Sequence, residues 1–488
     1  MFKARKIILS PWSLIILLCV LQILLAFNPA YSRLTFDEAI WHYIGRNWFR
    51  YGLIPYSGGV DNKSPLIYII YGLSDLLFGI NFWFPRLLAI ISQSIGLYFV
   101  YRITKYIADD KAGIIALILY GLSLTWKSTD GNFVSQTQAY EITFLIISFY
   151  FYFVAKKNSD FFYSGIIAGV AIAFKLTAVL PSSVIFLILL YRKKNVLAFI
   201  YGAGILITVC LTIGSFLLSG INLQHLVDYS LLDNFTRGSI TDHPFSWKLQ
   251  QFINQFFYSE MVLFYPFLIV WLIIKKNKAD VLTLWLIASV ASLCIIGMFA
   301  RSHLKELLPV LSIINAISIS YLMGKYTISL RKTIIALLII FFPKTINLFL
   351  PFKNIFSFNH LTTITNPAAQ DNLKHKLGLW IKSNTKPTEK VYVAGYSSEV
   401  QVYSERLSPS IYFNVTQTPL AKRQLFYDLK TNKADLIAIP LFPSYVNLVD
   451  KDIQDYVHNL VAKNYYEDTC LFMYKIYRRK DTITFNNF

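Results

Sequence analysis

Apolar residues in this chain gather into runs of nearly twenty, not into the narrow stripes of a soluble helix or the alternation of a half-buried strand. The runs at 7–27, 195–218, 281–300 and 333–350 are the clearest, and each approaches the ~20 residues needed to cross a bilayer core. The first run is longer than the core of a signal peptide and is followed by further runs, so it reads as a retained first helix. The pattern predicts a polytopic α-helical membrane protein.

Composition agrees. Of 488 residues, 55% are hydrophobic and 15% charged, against roughly 45–50% and 25% in soluble domains. The formal net charge of +19 would suit a nucleic-acid partner, but its placement argues against one. Basic residues form short clusters between the apolar runs: Lys3/Arg5/Lys6, Arg102/Lys105/Lys111, Lys156/Lys157, Arg192/Lys193/Lys194, Lys275/Lys276/Lys278 and Lys325/Arg331/Lys332. That is the positive-inside pattern, with anionic membrane lipids as partners. Cys19, Cys210, Cys294 and Cys470 are too scattered for a disulfide framework or a zinc site.

With every cluster placed in the cytoplasm, the chain threads as 7–27 outward, 83–104 back, 112–127 out and 138–155 back. The run 161–191, interrupted near Lys175 and Pro181, is two short helices. Then 195–218 goes out, 257–274 returns, 280–300 goes out, 305–323 returns and 331–350 goes out. The scheme gives about eleven spans with a cytoplasmic N-terminus. It predicts a transmembrane domain over 1–350 and puts 28–82, 219–256 and 351–488 outside the inner (plasma) membrane. The last stretch reads as a small extracytoplasmic α/β domain, with strands at 391–394 and 436–439 and a helix over 450–463.

Ionisable groups at the outer rim are not explained by topology and are functional candidates. The densest group lies in the first outer loop: Asp37 and Glu38, then Asp61-Asn62-Lys63-Ser64-Pro65-Leu66. An aromatic-rich amphipathic helix is expected over 38–51, lying along the interface, and a second from Pro65 to Phe78 with proline just inside its start. Asp37 reads either as a helix N-cap or as a positioned carboxylate. Lys63 reads either as a weak ion pair with Asp61 or as a phosphate ligand. Further along, Lys175 sits in an apolar run, and Arg301, His303 and Lys305 lie between two spans. Those three read either as ordinary loop solvation or as outward cations suited to a lipid phosphate, which the positive-inside rule does not predict.

The order of these features resembles the C-type (GT-C) membrane glycosyltransferases, in the protein-O-mannosyltransferase and aminoarabinose-transferase-like group. The likeness is carried by Asp37-Glu38, by the Asp61–Leu66 run (similar to D-x-K-P-P-L), by Gly165-Ile166-Ile167-Ala168-Gly169 with Phe174-Lys175-Leu176-Thr177-Ala178, by Arg301-Ser302-His303 with Leu308-Pro309, and by 391–396 with Tyr403-Ser404-Glu405-Arg406. The resemblance implies an inverting transfer of sugar from a polyprenyl-phosphate donor to a glycan, lipid or protein acceptor. Asp37 would be the general base, with Glu38 beside it. Lys63, with Arg301 or Lys305, would stabilise the leaving phosphate, supported by Asp61, His303 and Lys175. No nucleotide site is implied. Asp61 and His303 could contribute ligands to a divalent metal, but two residues do not define a site. Ala39-Ile40 stand where aminoarabinose transferases carry Pro-Arg, and Ser64 replaces the first proline of the K-P-P run. The large lumenal repeat domain of eukaryotic protein mannosyltransferases has no counterpart. The resemblance thus implies a bacterial enzyme whose acceptor is unassigned. Two other classes fit less of the pattern: a transporter or flippase for a lipid-linked solute, which would place charges at the midplane and show repeats, and an assembly subunit that docks through its outer domain.

Overall fold

The computed structural model describes residues 10–27, 33–126, 129, 134–232, 245–274, 280–296, 299, 301–346, 367–395, 397–414, 419–442 and 449–480. Lys3, Arg5, Lys6, Lys275, Lys276, Lys278 and Tyr396 lie outside the described residues. In chain order the helices are α1 (Pro11–Ala26), α2 (Phe36–Tyr51), α3 (Pro65–Phe78), α4 (Trp83–Ile107), α5 (Asp110–Ser123), α6 (Thr137–Val154), α7 (Asn158–Phe174), α8 (Val179–Tyr191), α9 (Asn195–Leu218), α10 (Phe245–Phe257), α11 (Tyr265–Ile274), α12 (Asp280–Ile296), α13 (Leu308–Lys325) and α14 (Leu330–Ile346). Then follow α15 (Pro367–Asn384), β1 (Val391–Val393), α16 (Ser398–Ser404), α17 (Pro419–Thr431), β2 (Leu436–Pro440), α18 (Lys451–Asn464), β3 (Tyr465–Leu471) and β4 (Tyr474–Arg479). Short 3-10 turns, Leu176–Ala178, Glu260–Phe264 and Arg301–Leu307, precede α8, α11 and α13.

Helices occupy each segment expected to be a span, but few are long. Trp83–Ile107, Asn195–Leu218 and Arg301–Lys325 are long and apolar enough to cross a membrane, and the pair Phe245–Phe257 and Glu260–Ile274, bent by 48°, is a fourth if it is one span. Pro11–Ala26, Asn158–Phe174, Leu176–Tyr191 and Val281–Ile295 are shorter apolar helices. By length and composition the described helices therefore fall short of the expected eleven. Caps and 3-10 turns cut the runs before they reach full bilayer length. Ser10 caps α1, accepting from the Ser13 N–H at 3.1 Å, with Pro11 at the first position. Asp109 caps α5, accepting from the Ala112 N–H at 2.7 Å.

The chain forms two compact units. The first comprises Met1–Asn28, Arg86–Ser215 and His243–Lys353. Helix α5 is buried all round from Ala112 to Ser123, as is the start of α13 from Leu308 to Ala316, which makes them the core of this unit. Helix α9 presents exposed apolar side chains instead, among them Val196, Phe199, Leu206 and Leu211, as a surface in contact with lipid requires. Polar seams join neighbouring helices: Ser148 Oγ donates to Ser164 O at 2.9 Å, and Ser164 Oγ to Ser148 O at 2.8 Å. Arg86, fully buried, donates to the Ala26 carbonyl at 2.9 Å and satisfies the C-terminal end of α1.

The second unit comprises Pro29–Pro85, Phe216–Asp242 and Asn354–Phe488. Its sheet has the order β1-β2-β4-β3, with β1 and β2 parallel and the other pairs antiparallel. Alternation divides the side chains between two layers. Val391, Val393, Leu436 and Ala438 pack with Leu377 and Ile381 of α15, and Tyr392, Ile437 and Ile439 pack with Leu425 of α17 and Val457 of α18. The strands expected at 391–394 and 436–439 and the helix at 450–463 are observed within a residue of their predicted ends; the hairpin β3–β4 was not expected. Its two-residue turn is Phe472-Met473, at φ 53° and 64°, and lacks the Asn-Gly signal that usually marks such a turn.

Helices α2 and α3, expected over 38–51 and from Pro65 to Phe78, pack backbone to backbone in this unit. A Cβ on Gly45 would lie 2.4 Å from the Tyr68 carbonyl oxygen, and one on Gly72 would lie 2.8 Å from the Gly45 oxygen. Gly45→Ala or Gly72→Ala must push the helices apart, at a cost of about 1–3 kcal/mol. Gly214→Ala, where a Cβ meets nothing within 4 Å, should be neutral or slightly stabilising. Thermal unfolding of the three purified variants checks this ordering.

Candidate functional site

Helix α2 starts with Thr35 as its N-cap, so Asp37 is not the cap and stands at the second helical position. Asp37 is exposed, at the end of the helix where a negative charge is favoured. Glu38 is fully buried. Its Oε2 accepts from the Thr35 N–H at 3.0 Å and the Thr35 hydroxyl at 3.2 Å, the back-reaching half of a capping box. The adjacent carboxylates thus differ in surroundings: one faces solvent and the other is committed to the helix start.

The loop before α3 is tied down by neutral donors. Trp41 Nε1 donates to Asp61 Oδ2 at 2.9 Å. The Tyr68 hydroxyl donates to the carbonyls of Asp61 and Lys63 at 3.2 and 3.1 Å, and the Tyr56 hydroxyl to the Lys63 carbonyl at 2.7 Å. Burial pushes the Tyr56 phenol well up, which keeps it a protonated donor. The half-buried Lys63 ammonium donates to Asn62 Oδ1 at 2.7 Å. Ser64 caps α3, and Pro65 occupies its first position. Asp37 lies four residues before Trp41, on the same stripe of α2, and Trp41 holds Asp61. Trp41 thereby ties Asp61, and through the loop Lys63, to α2, the helix whose first turn carries Asp37 and Glu38.

The strand-and-helix part of the unit holds the start of α2. Ser398 Oγ donates to the Phe36 carbonyl at 2.9 Å, and the Leu34 N–H donates to the Tyr403 hydroxyl at 3.3 Å. Arg46 pairs with Glu405 at 3.1 Å. Arg406 donates to the carbonyls of Lys382 and Thr385, both at 2.8 Å, capping α15. The Tyr403–Arg406 run thus serves the structure by clamping α2. Deeper along α2, His42 is fully buried, and burial lowers its pKa to about 4, so it is neutral near pH 7. It accepts from the Asn81 N–H through Nε2 at 3.4 Å.

In the first unit, Lys175 sits at the extended break after α7 and forms a buried ion pair with Glu306. Glu141 of α6 accepts from the Thr177 hydroxyl at 3.1 Å. Arg301 is exposed, His303 half-buried and Lys305 buried, all on the 3-10 turn before α13. Sequence reading flagged Lys175 but not Glu141. Glu141 was findable as a lone carboxylate inside the apolar run 138–155. Among the described residues, no three His, Cys, Asp or Glu side chains are grouped as a metal site requires.

Burial pushes the Glu405 carboxyl up, but hydrogen bonding and charge from Lys382 and Arg46 outweigh it, and the pKa lies below its usual 4.5. Such a group stabilises the fold above its unfolded pKa and loses that contribution as pH falls through the folded value. The stability difference between wild type and Glu405→Gln should be constant above about pH 5 and shrink in more acid solution. Unfolding midpoints across pH check this.

Residues 62–216 match the family model described as dolichyl-phosphate-mannose-protein mannosyltransferase. The matched segment includes Lys63, Glu141 and Lys175 and begins just after Asp61. No curated protein sequence matches the chain. Among solved structures, the fold is similar to ArnT from Cupriavidus metallidurans bound to undecaprenyl phosphate, with TM-score 0.64, 13% identity and coverage of 95% of this chain and 97% of that one. The apo state of ArnT gives TM-score 0.63 at 14% identity, covering 96% and 98%. AglB, the archaeal oligosaccharyltransferase from Archaeoglobus fulgidus, in complex with an inhibitory peptide and a dolichol-phosphate, gives TM-score 0.53 at 11% identity, covering 98% of this chain and 75% of that one. Across nearly its whole length the chain has the fold of the C-type membrane glycosyltransferases, and over residues 62–216 it also carries the sequence pattern of the protein mannosyltransferase family.

Proposed function

We propose that the chain is an inverting glycosyltransferase that moves a sugar from a polyprenyl-phosphate donor to an acceptor hydroxyl on the outer side of the membrane. The observation that carries this reading is the family match beginning at Asn62, one residue before Lys63. The shared fold supports it, since the ArnT structure holds undecaprenyl phosphate and the AglB structure a dolichol-phosphate. In the proposed reaction Asp37 takes the proton of the acceptor hydroxyl as its oxygen attacks the anomeric carbon. The carbon–oxygen bond to the phosphate then breaks on the opposite face, and Lys63 stabilises the departing phosphate. A carboxylate in this role supplies roughly 10²–10⁴-fold in rate.

We also propose that the apolar helical segments form eleven spans of the inner membrane, with the N-terminus and the basic clusters in the cytoplasm. Residues 1–350 would then form the transmembrane domain and 351–488 the outer one. Cys470, exposed on β3, should be labelled in intact cells by a membrane-impermeant maleimide, whereas labelling only after permeabilisation would reverse the orientation.

Transfer of radiolabelled sugar from polyprenyl-phosphate donors to an envelope extract tests the reaction. Asp37→Asn should reduce turnover by roughly 10²–10⁴-fold with the protein still folded; activity equal to wild type would remove Asp37 from the base role. Glu38→Gln keeps the capping box, which accepts Glu or Gln alike, so a small loss is expected there. Lys63→Ala should raise KM for the donor, and Lys325→Ala should not. Arg301→Ala and Lys305→Ala are read in the same assay, each on its own. Movement of lipid-linked sugar across liposomes without transfer would favour a flippase.

A further inference from the structure

The first unit buries a charged cluster to which the proposed transfer assigns no step. Glu141 is 1% exposed and Glu306 5%. Lys175, at the break between α7 and the following 3-10 turn, is committed to Glu306 Oε1. One oxygen of Glu141 accepts from Thr177, while the other, Oε2, is buried and has no hydrogen-bond partner among the described residues. We propose that Glu141, Glu306, Lys175 and Thr177 form a binding site for a single positive charge, either a proton or an alkali-metal cation.

Charge balance and coordination both point to such a site. Among the described residues, the charged groups acting on Glu141 are Glu306, from the 3-10 turn before α13, and Lys175, and the Thr177 hydroxyl is its remaining polar neighbour. Two carboxylates and one ammonium leave one negative charge in excess. A carboxylate charge buried without a partner is among the costliest groups a fold can hold, so it neutralises or takes a counter-ion. One added positive charge balances the cluster; a divalent ion would overshoot. The backbone is built for such a ligand too. It leaves the helical path at Lys175, which is extended, and again through the 3-10 turn Arg301–Leu307. Interrupted helices at membrane depth persist where they are buried in protein or line a cavity, and they are where cation sites are built from side-chain and carbonyl oxygens. The charge excess is present whatever reaction the chain catalyses.

Full-length protein in nanodiscs is used to check for the site. Unfolding midpoints are measured in sodium, potassium and N-methylglucamine chloride at equal ionic strength, from mildly alkaline to mildly acid pH. Infrared spectra of wild type and Glu141→Gln are compared for the carbonyl stretch of a protonated carboxyl. A midpoint raised by sodium or potassium over N-methylglucamine, and lost in Glu141→Gln, assigns the site to an alkali cation. A midpoint that rises on acidification regardless of the salt, with a carboxyl band missing from Glu141→Gln, assigns it to a proton. Identical responses of wild type and variant to all three cations and to pH, with no difference band, overturn the proposal. Gln is the neutral isostere of the protonated side chain and should fold. Should it not, an unresponsive wild type with no protonated-carboxyl band overturns the proposal by itself.

Discussion

In hydrocarbon a backbone polar group has no water to turn to, and most of the architecture of this chain is an answer to that constraint. Helices satisfy their own interiors, so what remains is their ends, and those ends are where the informative residues stand. Ser10, Ser64 and Asp109 accept from orphan N–H groups at the starts of α1, α3 and α5. Arg86 does the converse for the carbonyls at the end of α1. Even Glu38 answers first to this need. A carboxylate that looked catalytic beside Asp37 is fully buried against Thr35, and its neighbour is left exposed at a helix terminus that favours negative charge.

Hydropathy made the helical architecture legible because a membrane helix is specified by composition over many residues, which survives local detail. Its helix lengths were less legible. The break that ends α7 at Lys175 was expected from the interruption near Lys175 and Pro181. The helix Phe245–Phe257, which meets the following helix at a 48° bend, was not, because 219–256 read as a loop. The C-terminal strand-and-helix part shows the reverse balance. Its buried strands β1 and β2 are short apolar runs and could be read directly. The β3–β4 hairpin is solvent-facing, carries Glu467 and Asp468 on one strand, and turns through Phe472-Met473; neither pattern nor turn residues announce it.

The site candidates divide along similar lines. Asp37 and Lys63 stood out because charge between the apolar runs of such a chain is costly unless used. The bonds that organise the loop did not stand out, because they come from Trp41, Tyr56 and Tyr68. These side chains read as part of an interfacial aromatic belt. Glu141 was hidden for another reason: a single charge in a run of apolar residues barely alters a windowed average, although a carboxylate buried among them is the residue least able to be incidental.

There is a physical logic in tethering the Asp61–Ser64 loop through phenols and an indole. Neutral donors aimed at backbone carbonyls and at Asp61 fix the path of the loop without adding a formal charge to it. The backbone at Lys63 is thereby held by bonds to its carbonyl. Asn62, which accepts from Lys63 Nζ at 2.7 Å, orients that group through a dipole and adds no counter-charge of its own. In a medium of low dielectric a cation acts over a longer distance than it would in water. Rigid placement and charge are therefore supplied by different atoms: the aromatic residues hold the backbone at Lys63 through its carbonyl, and the ammonium carries the charge.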